Sequence, residues 1–211
     1  MRGALVWLAL AACNGEPGTD GLDTGAHNGV SVRLVVDEVP STLFDLTVSV
    51  EQVVLEGDGP RGHEAVSYDA RTDLDLVGGT AGTPIVLDLD VGRWQDVDLA
   101  VTLGATDTGP ALFAAGRVGE RRFELSVEPE LRLLDHGAFS LEAGLDPTLD
   151  LVLRPTEWLD DLDEEELEDT SGVYLVDLAH NRETYDDVVK RIVDSTEARF
   201  PGEEEARDTS R

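Results

Sequence analysis

Side chains able to do chemistry fall into three groups in this chain: four scattered histidines, one dense acidic run and a single cysteine. His27, His63, His136 and His180 stand far apart, most of them beside turn residues or in a polar N-terminal stretch. His63-Glu64-Ala65-Val66-Ser67 opens like the helix of a zinc protease, where two histidines at i and i+4 hold the metal. Ser67 occupies the second ligand position, and a serine hydroxyl cannot replace an imidazole there. The run from Glu157 to Asp169 carries nine carboxylates, with no Lys or Arg between Arg154 and Arg182. Hard oxygen donors at that density suit Ca²⁺, and Asp161, Asp163, Glu165 and Asp169 are the candidate ligands. Their spacing matches no calcium loop, and a solvated acidic surface is the alternative reading. Nucleophile elbow, phosphate-cradling loop and paired-cysteine metal site are all missing from the sequence. No catalytic residue and no cofactor is expected, and the chain reads as a non-enzyme.

Cys13 is the only cysteine. Before it runs Met1-Arg-Gly-Ala-Leu-Val-Trp-Leu-Ala-Leu-Ala-Ala12, one positive charge and then an apolar stretch too short for a transmembrane helix, which needs roughly 20 residues. A basic start, a short apolar run and small residues at its end mark a secretory signal peptide. The junction Leu10-Ala11-Ala12-Cys13 resembles the lipobox of bacterial lipoproteins. The resemblance implies a diacylglyceryl group on the Cys13 thiol and cleavage just before it. Ala9-Leu10-Ala11 also fits an ordinary cleavage site, but that route leaves one unpaired thiol in an oxidising compartment. Lipidation accounts for the lone cysteine. Two or more acyl chains anchor stably, whereas one alone binds marginally.

The formal charge is −29, and loss of residues 1–12 removes only Arg2 from the count. Such a surface is repelled by phosphate backbones and anionic headgroups, so nucleic acid is excluded as a partner. The membrane contact is therefore the lipid itself. Asn14 after the cysteine, rather than Asp, favours the outer membrane if the host is Gram-negative.

The rest of the chain must position whatever site exists. Residues 1–12 read as signal peptide and 13–29 as a lipidated flexible tether, too polar and glycine-rich to fold. From Val30 the apolar positions recur with period two, the strand signal. Val30, Val32, Leu34 and Val36 give one strand; Leu46, Val48, Val50 and then Val53, Leu55 give another, whose phase slip at Glu51-Gln52 indicates a bulge. Short strands continue to Leu153, with Gly57 to Pro60 as a turn and Gly104 to Gly109 and Gly119-Glu120 as hairpin turns. This predicts a mainly β fold over 30–154, an antiparallel β-sandwich of Ig-like or transthyretin-like kind. Residues 155–200 hold the acidic segment, one more strand from Gly172 to Leu178, and a C-terminal amphipathic helix packed on the sandwich. Asn181 is its expected N-cap, Tyr185, Val188, Val189 and Ile192 its apolar stripe, Phe200 its far end and Pro201 its stop. Residues 201–211 read as a disordered polar tail.

Together these features resemble exported bacterial lipoproteins with a β-sandwich domain of unassigned function. The likeness lies in the lipobox, the tether, Val32-Arg-Leu-Val-Val-Asp37, Leu46-Thr-Val-Ser-Val-Glu51, Pro155-Thr-Glu-Trp158 and the closing helix. It implies a lipid-anchored cell-envelope module, non-enzymatic, that binds an envelope protein or glycan. The alternatives are an envelope hydrolase with a hidden carboxylate pair and a calcium-dependent adhesion module.

Overall fold

The computed structural model describes residues 27–77, 84–145, 147–160 and 162–201. Cys13, the apolar leader, most of the tether, Asp161 and the tail beyond Pro201 therefore lie outside the described residues. Nine strands come first: β1 (His27–Val36), β2 (Leu43–Gly59), β3 (Gly62–Asp75), β4 (Ile85–Asp90), β5 (Gly92–Leu103), β6 (Leu112–Val118), β7 (Arg121–Val127), β8 (Leu131–Leu141) and β9 (Thr148–Leu153). The short helix α1 (Pro155–Leu159), strand β10 (Val173–Val176), helix α2 (Arg182–Ser195) and strand β11 (Glu197–Arg199) follow.

The protein is mainly β, but its sheets are mixed rather than antiparallel throughout. In the smaller sheet β1 lies antiparallel to β4 and parallel to β9, and β11 closes the far edge of β9. In the larger sheet β7, β6, β2, β5 and β8 run antiparallel, β10 adds a parallel edge on β7, and β3 pairs with β2. This sheet curls into a half-barrel. Parallel pairs need a crossover rather than a tight turn. The chain supplies two: β9 returns to β1 after strands β2 to β8, and β10 returns to β7 after β8, β9 and α1.

Two slips of the period-two pattern bend the larger sheet. Leu46, Val48 and Val50 are buried, and then Val53 and Leu55, with the register shifting between Val50 and Gln52. On β5, Trp94, Val97, Leu99, Val101 and Leu103 are buried, and the pairing with β8 shifts between Trp94 and Val97. An extra residue in each place leaves both flanks facing the same core.

Gly104 to Gly109 do not form a hairpin turn. β5 and β6 lie end to end along one edge of β2, pairing with Val50 to Asp58 and Leu43 to Val48 in turn. Residues 104–111 loop out between them. Ser49 bridges the gap: its N–H donates to Ala111 O (3.0 Å) and its carbonyl accepts from Gly104 N (3.0 Å). Because β2 is long enough for both partners, the chain continues along it instead of turning back.

Boundaries also shift. His27 to Gly29, assigned above to the tether, pair with Asp90 to Asp88 and belong to β1. The helix stops at Ser195, five residues before Phe200. Thr196 is extended (ψ 131°), and Glu197 to Arg199 pair with β9. Phe200 is buried all the same, stacked on Phe139 (6.0 Å between centroids), which stacks on Trp94 (6.2 Å). The segment after residue 154 is thus woven into both sheets. α2 buries Tyr185, Val188 and Ile192 and contacts α1, β8 and β10. The apolar faces of the two sheets and of α1 and α2 feed one core, which encloses Trp94 and Trp158.

Candidate functional site

Outward-facing positions of β3, β2, β5 and β8 form rows set by the strand register. Ala65, Glu56, Asp98 and His136 make one row, with Glu56 directly opposite Asp98 and Asp98 opposite His136. Ser67, Val54, Ala100 and Leu134 make the next, and Asp69, Gln52, Thr102 and Arg132 the third. Side chains on neighbouring strands at such positions lie within mutual reach. A shallow depression of about 510 Å³ opens here, lined by Val54, Glu56, Asp98, Ala100, Leu134 and His136 together with Arg132 and Asp135.

The imidazoles carry the distinctive geometry. His63 on β3 places Nε2 2.8 Å from Glu56 Oε1 and Nδ1 3.1 Å from Asp58 Oδ1. A neutral imidazole has one N–H and one lone pair, so only the imidazolium donates to both. The bonds to Glu56 and then Asp58 hold the His63 pKa above its ordinary value. His136 repeats the arrangement across β5, with Nδ1 2.9 Å from Asp98 Oδ1 and Nε2 4.0 Å from Asp96 Oδ1. Asp96 reaches that spot because of the β5 bulge, where its backbone is left-handed (φ 47°). Such a conformation is uncommon outside glycine, and Asp is among the residues that tolerate it best.

Chemically, the two imidazoles and the four carboxylates around them (Glu56, Asp58, Asp96 and Asp98) stand beside an apolar floor. It is open to water.

The acidic segment lies elsewhere, between α1 and α2. Asp163 lines a polar hollow of about 1130 Å³ together with Glu164, Glu166, Glu168, Arg182 and Arg191, among others. Its Oδ1 accepts from Glu165 N (2.9 Å), and the Glu165 side chain is exposed. Asp169 bonds Arg121 and accepts from Gly172 N (2.6 Å). Asp161 lies outside the described residues. Among the described residues, no three His, Cys, Asp or Glu side chains gather as metal ligands. The segment forms turns rather than a helix, and Asn181 fastens it. Asn181 stands at the N-cap position with left-handed backbone (φ 49°), yet its side chain makes no cap bond. Instead Oδ1 accepts from Glu168 N (2.7 Å), while Nδ2 donates to Glu168 O (3.1 Å) and Leu175 O (2.7 Å).

The sequence excluded a zinc-protease site at His63 but did not show the partners of that histidine. His63 and Ser67 share an extended strand, so no helical i, i+4 face exists. What joins His63 to Glu56, and His136 to Asp98, is strand register. The one local sign was the Trp94–Val97–Leu99 spacing, which marks a bulge at Asp96. Comparison with protein-family models, with curated proteins and with solved structures found no match.

Proposed function

We propose that this chain is an exported, lipid-anchored cell-envelope protein whose β domain is a non-enzymatic binding module. Cys13 carries the reading: a lone thiol after Leu10-Ala11-Ala12, followed by a polar, glycine-rich stretch before the first strand. Lipid on Cys13 holds the domain at the membrane, and the outer membrane is the favoured address in a Gram-negative host. Among the described residues no helix is long and apolar enough to cross a membrane. A chain of net charge −29 is repelled by anionic headgroups, so attachment rests on the lipid.

We read the two sheets about their common core as a sandwich of Ig-like or transthyretin-like kind, modified by its parallel pairs. The face of β3, β2, β5 and β8 is the presented surface, because it combines an apolar floor with convergent polar groups. The partner is an envelope protein or glycan. Crosslinking in intact cells tests the binding half: a discrete adduct that disappears when Glu56 and Asp98 are replaced by Gln and Asn supports it. Adducts unchanged by that replacement contradict it.

A further inference from the structure

We propose that the depression on the outer face of β2, β5 and β8 seats a lysine or arginine side chain from an extended segment of a partner protein, and that protonation of the neighbouring imidazole releases it. This rests on the binding-module reading above and names the partner's chemistry.

The floor comes first. Val54, Ala100 and Leu134 are aligned across three strands, and Leu134 remains 54% exposed. An aliphatic stem fits such a strip while its charged head reaches for water or for carboxylate. The head group has a place: Glu56 and Asp98 stand directly opposite each other on the adjoining row. Like charges paired across strands cost free energy, and a cation between them removes that cost. The bulge adds Asp96 to the same side, at the expense of a left-handed backbone. Arg132 lies at the other end of the depression, so the bound cation is directed toward the Glu56–Asp98 end.

Among the described residues, the charged groups around the seat are His63 from β3, Glu56 and Asp58 from β2, Asp96 and Asp98 from β5, and Arg132, Asp135 and His136 from β8, with Asp69 of β3 in the row of Arg132. His63 is the competitor, because its imidazolium occupies Glu56 and Asp58 together. As pH rises and His63 gives up its proton, Glu56 loses that cation and is free for the partner's. Affinity for the cationic segment therefore increases with pH.

The test uses the full-length protein and a fluorescent decapeptide of alternating lysine and serine, read by anisotropy at low salt. Glu56→Gln with Asp98→Asn is compared with Glu164→Gln with Glu166→Gln, which removes equal charge from the distant acidic segment. The face variant is expected to weaken binding by roughly ten-fold, the loss of two exposed charge contacts, and the distant variant by less than about two-fold. Wild-type affinity is higher at pH 7.5 than at pH 5.5, and His63→Gln shrinks that difference. Equal weakening by the two variants, tighter binding at pH 5.5, or no binding at pH 7.5 overturns the proposal. Lipidation of Cys13 is read in a separate experiment, so failure here leaves the anchor reading standing.

Discussion

Gly137, in the middle of β8, should be costly to replace even by alanine. A methyl there would overlap the Phe200 ring, whose Cγ lies 3.0 Å from the methyl position and whose Cδ2 and Cε2 lie closer still. Phe200 is only 3% exposed and stacked on Phe139, so the ring cannot swing away without opening the Phe200–Phe139–Trp94 stack. Overpacking of this kind costs about 1–3 kcal/mol, and complete loss of a buried phenylalanine costs about 3–5 kcal/mol. Gly137→Ala should therefore fall between them, at roughly 2–4 kcal/mol. Urea unfolding followed by tryptophan fluorescence measures it, since Trp94 reports on the same stack. The decisive form is a double-mutant cycle. In a Phe200→Ala background the methyl meets no ring, and Gly137→Ala should cost less than about 0.5 kcal/mol. A neutral Gly137→Ala in the wild type, or equal costs in both backgrounds, would refute the claim that β11 is locked to β8 through Phe200.

Further outcomes follow from other contacts. Ser49→Ala removes a buried hydroxyl that bonds Asp73 Oδ1 (2.6 Å) and approaches Pro110 O (3.1 Å); it should cost about 1–3 kcal/mol and speed amide exchange in residues 104–111, as read by hydrogen-exchange mass spectrometry. His63 should titrate above its ordinary 6.5 in a proton NMR titration. Because its folded-state pKa is raised, its contribution to stability is fully present below the unfolded value and lost as pH rises through the raised one. Glu56→Gln with Asp58→Asn should bring the midpoint back down. Asn181→Ala frees Glu168 and Leu175 from three hydrogen bonds, and should raise protease susceptibility within residues 160–170 before global stability changes.

Strand existence was legible in the sequence because alternation is a local property. Val30 to Val36 and the Val50/Val53 slip show it, since a buried face forces the pattern whatever the partner strand is. Pairing partners were not legible. That β9 lies parallel to β1, or that β5 and β6 share one edge of β2, depends on contacts between residues far apart in sequence. The helix end failed for a related reason. Phe200 continued an apolar spacing, but Glu197 to Arg199 pair with β9 instead of adding a helical turn. The candidate site inherits this limit: His63, Glu56, Asp98 and His136 come from four strands, and only register makes them neighbours. Asn181 illustrates the converse, a residue of the right type at the cap position whose amide serves the acidic segment instead.

We propose that Cys13 carries the lipid that holds this domain at the cell envelope. Metabolic labelling with palmitate in the native host tests it most directly, with Cys13→Ser as control and protease shaving of intact cells to locate the domain. Label is expected on the wild-type protein and none on Cys13→Ser, with loss of the variant from the membrane fraction. Label that survives in Cys13→Ser, or a wild-type protein that takes up no palmitate and leaves the membrane with a salt wash, would contradict it.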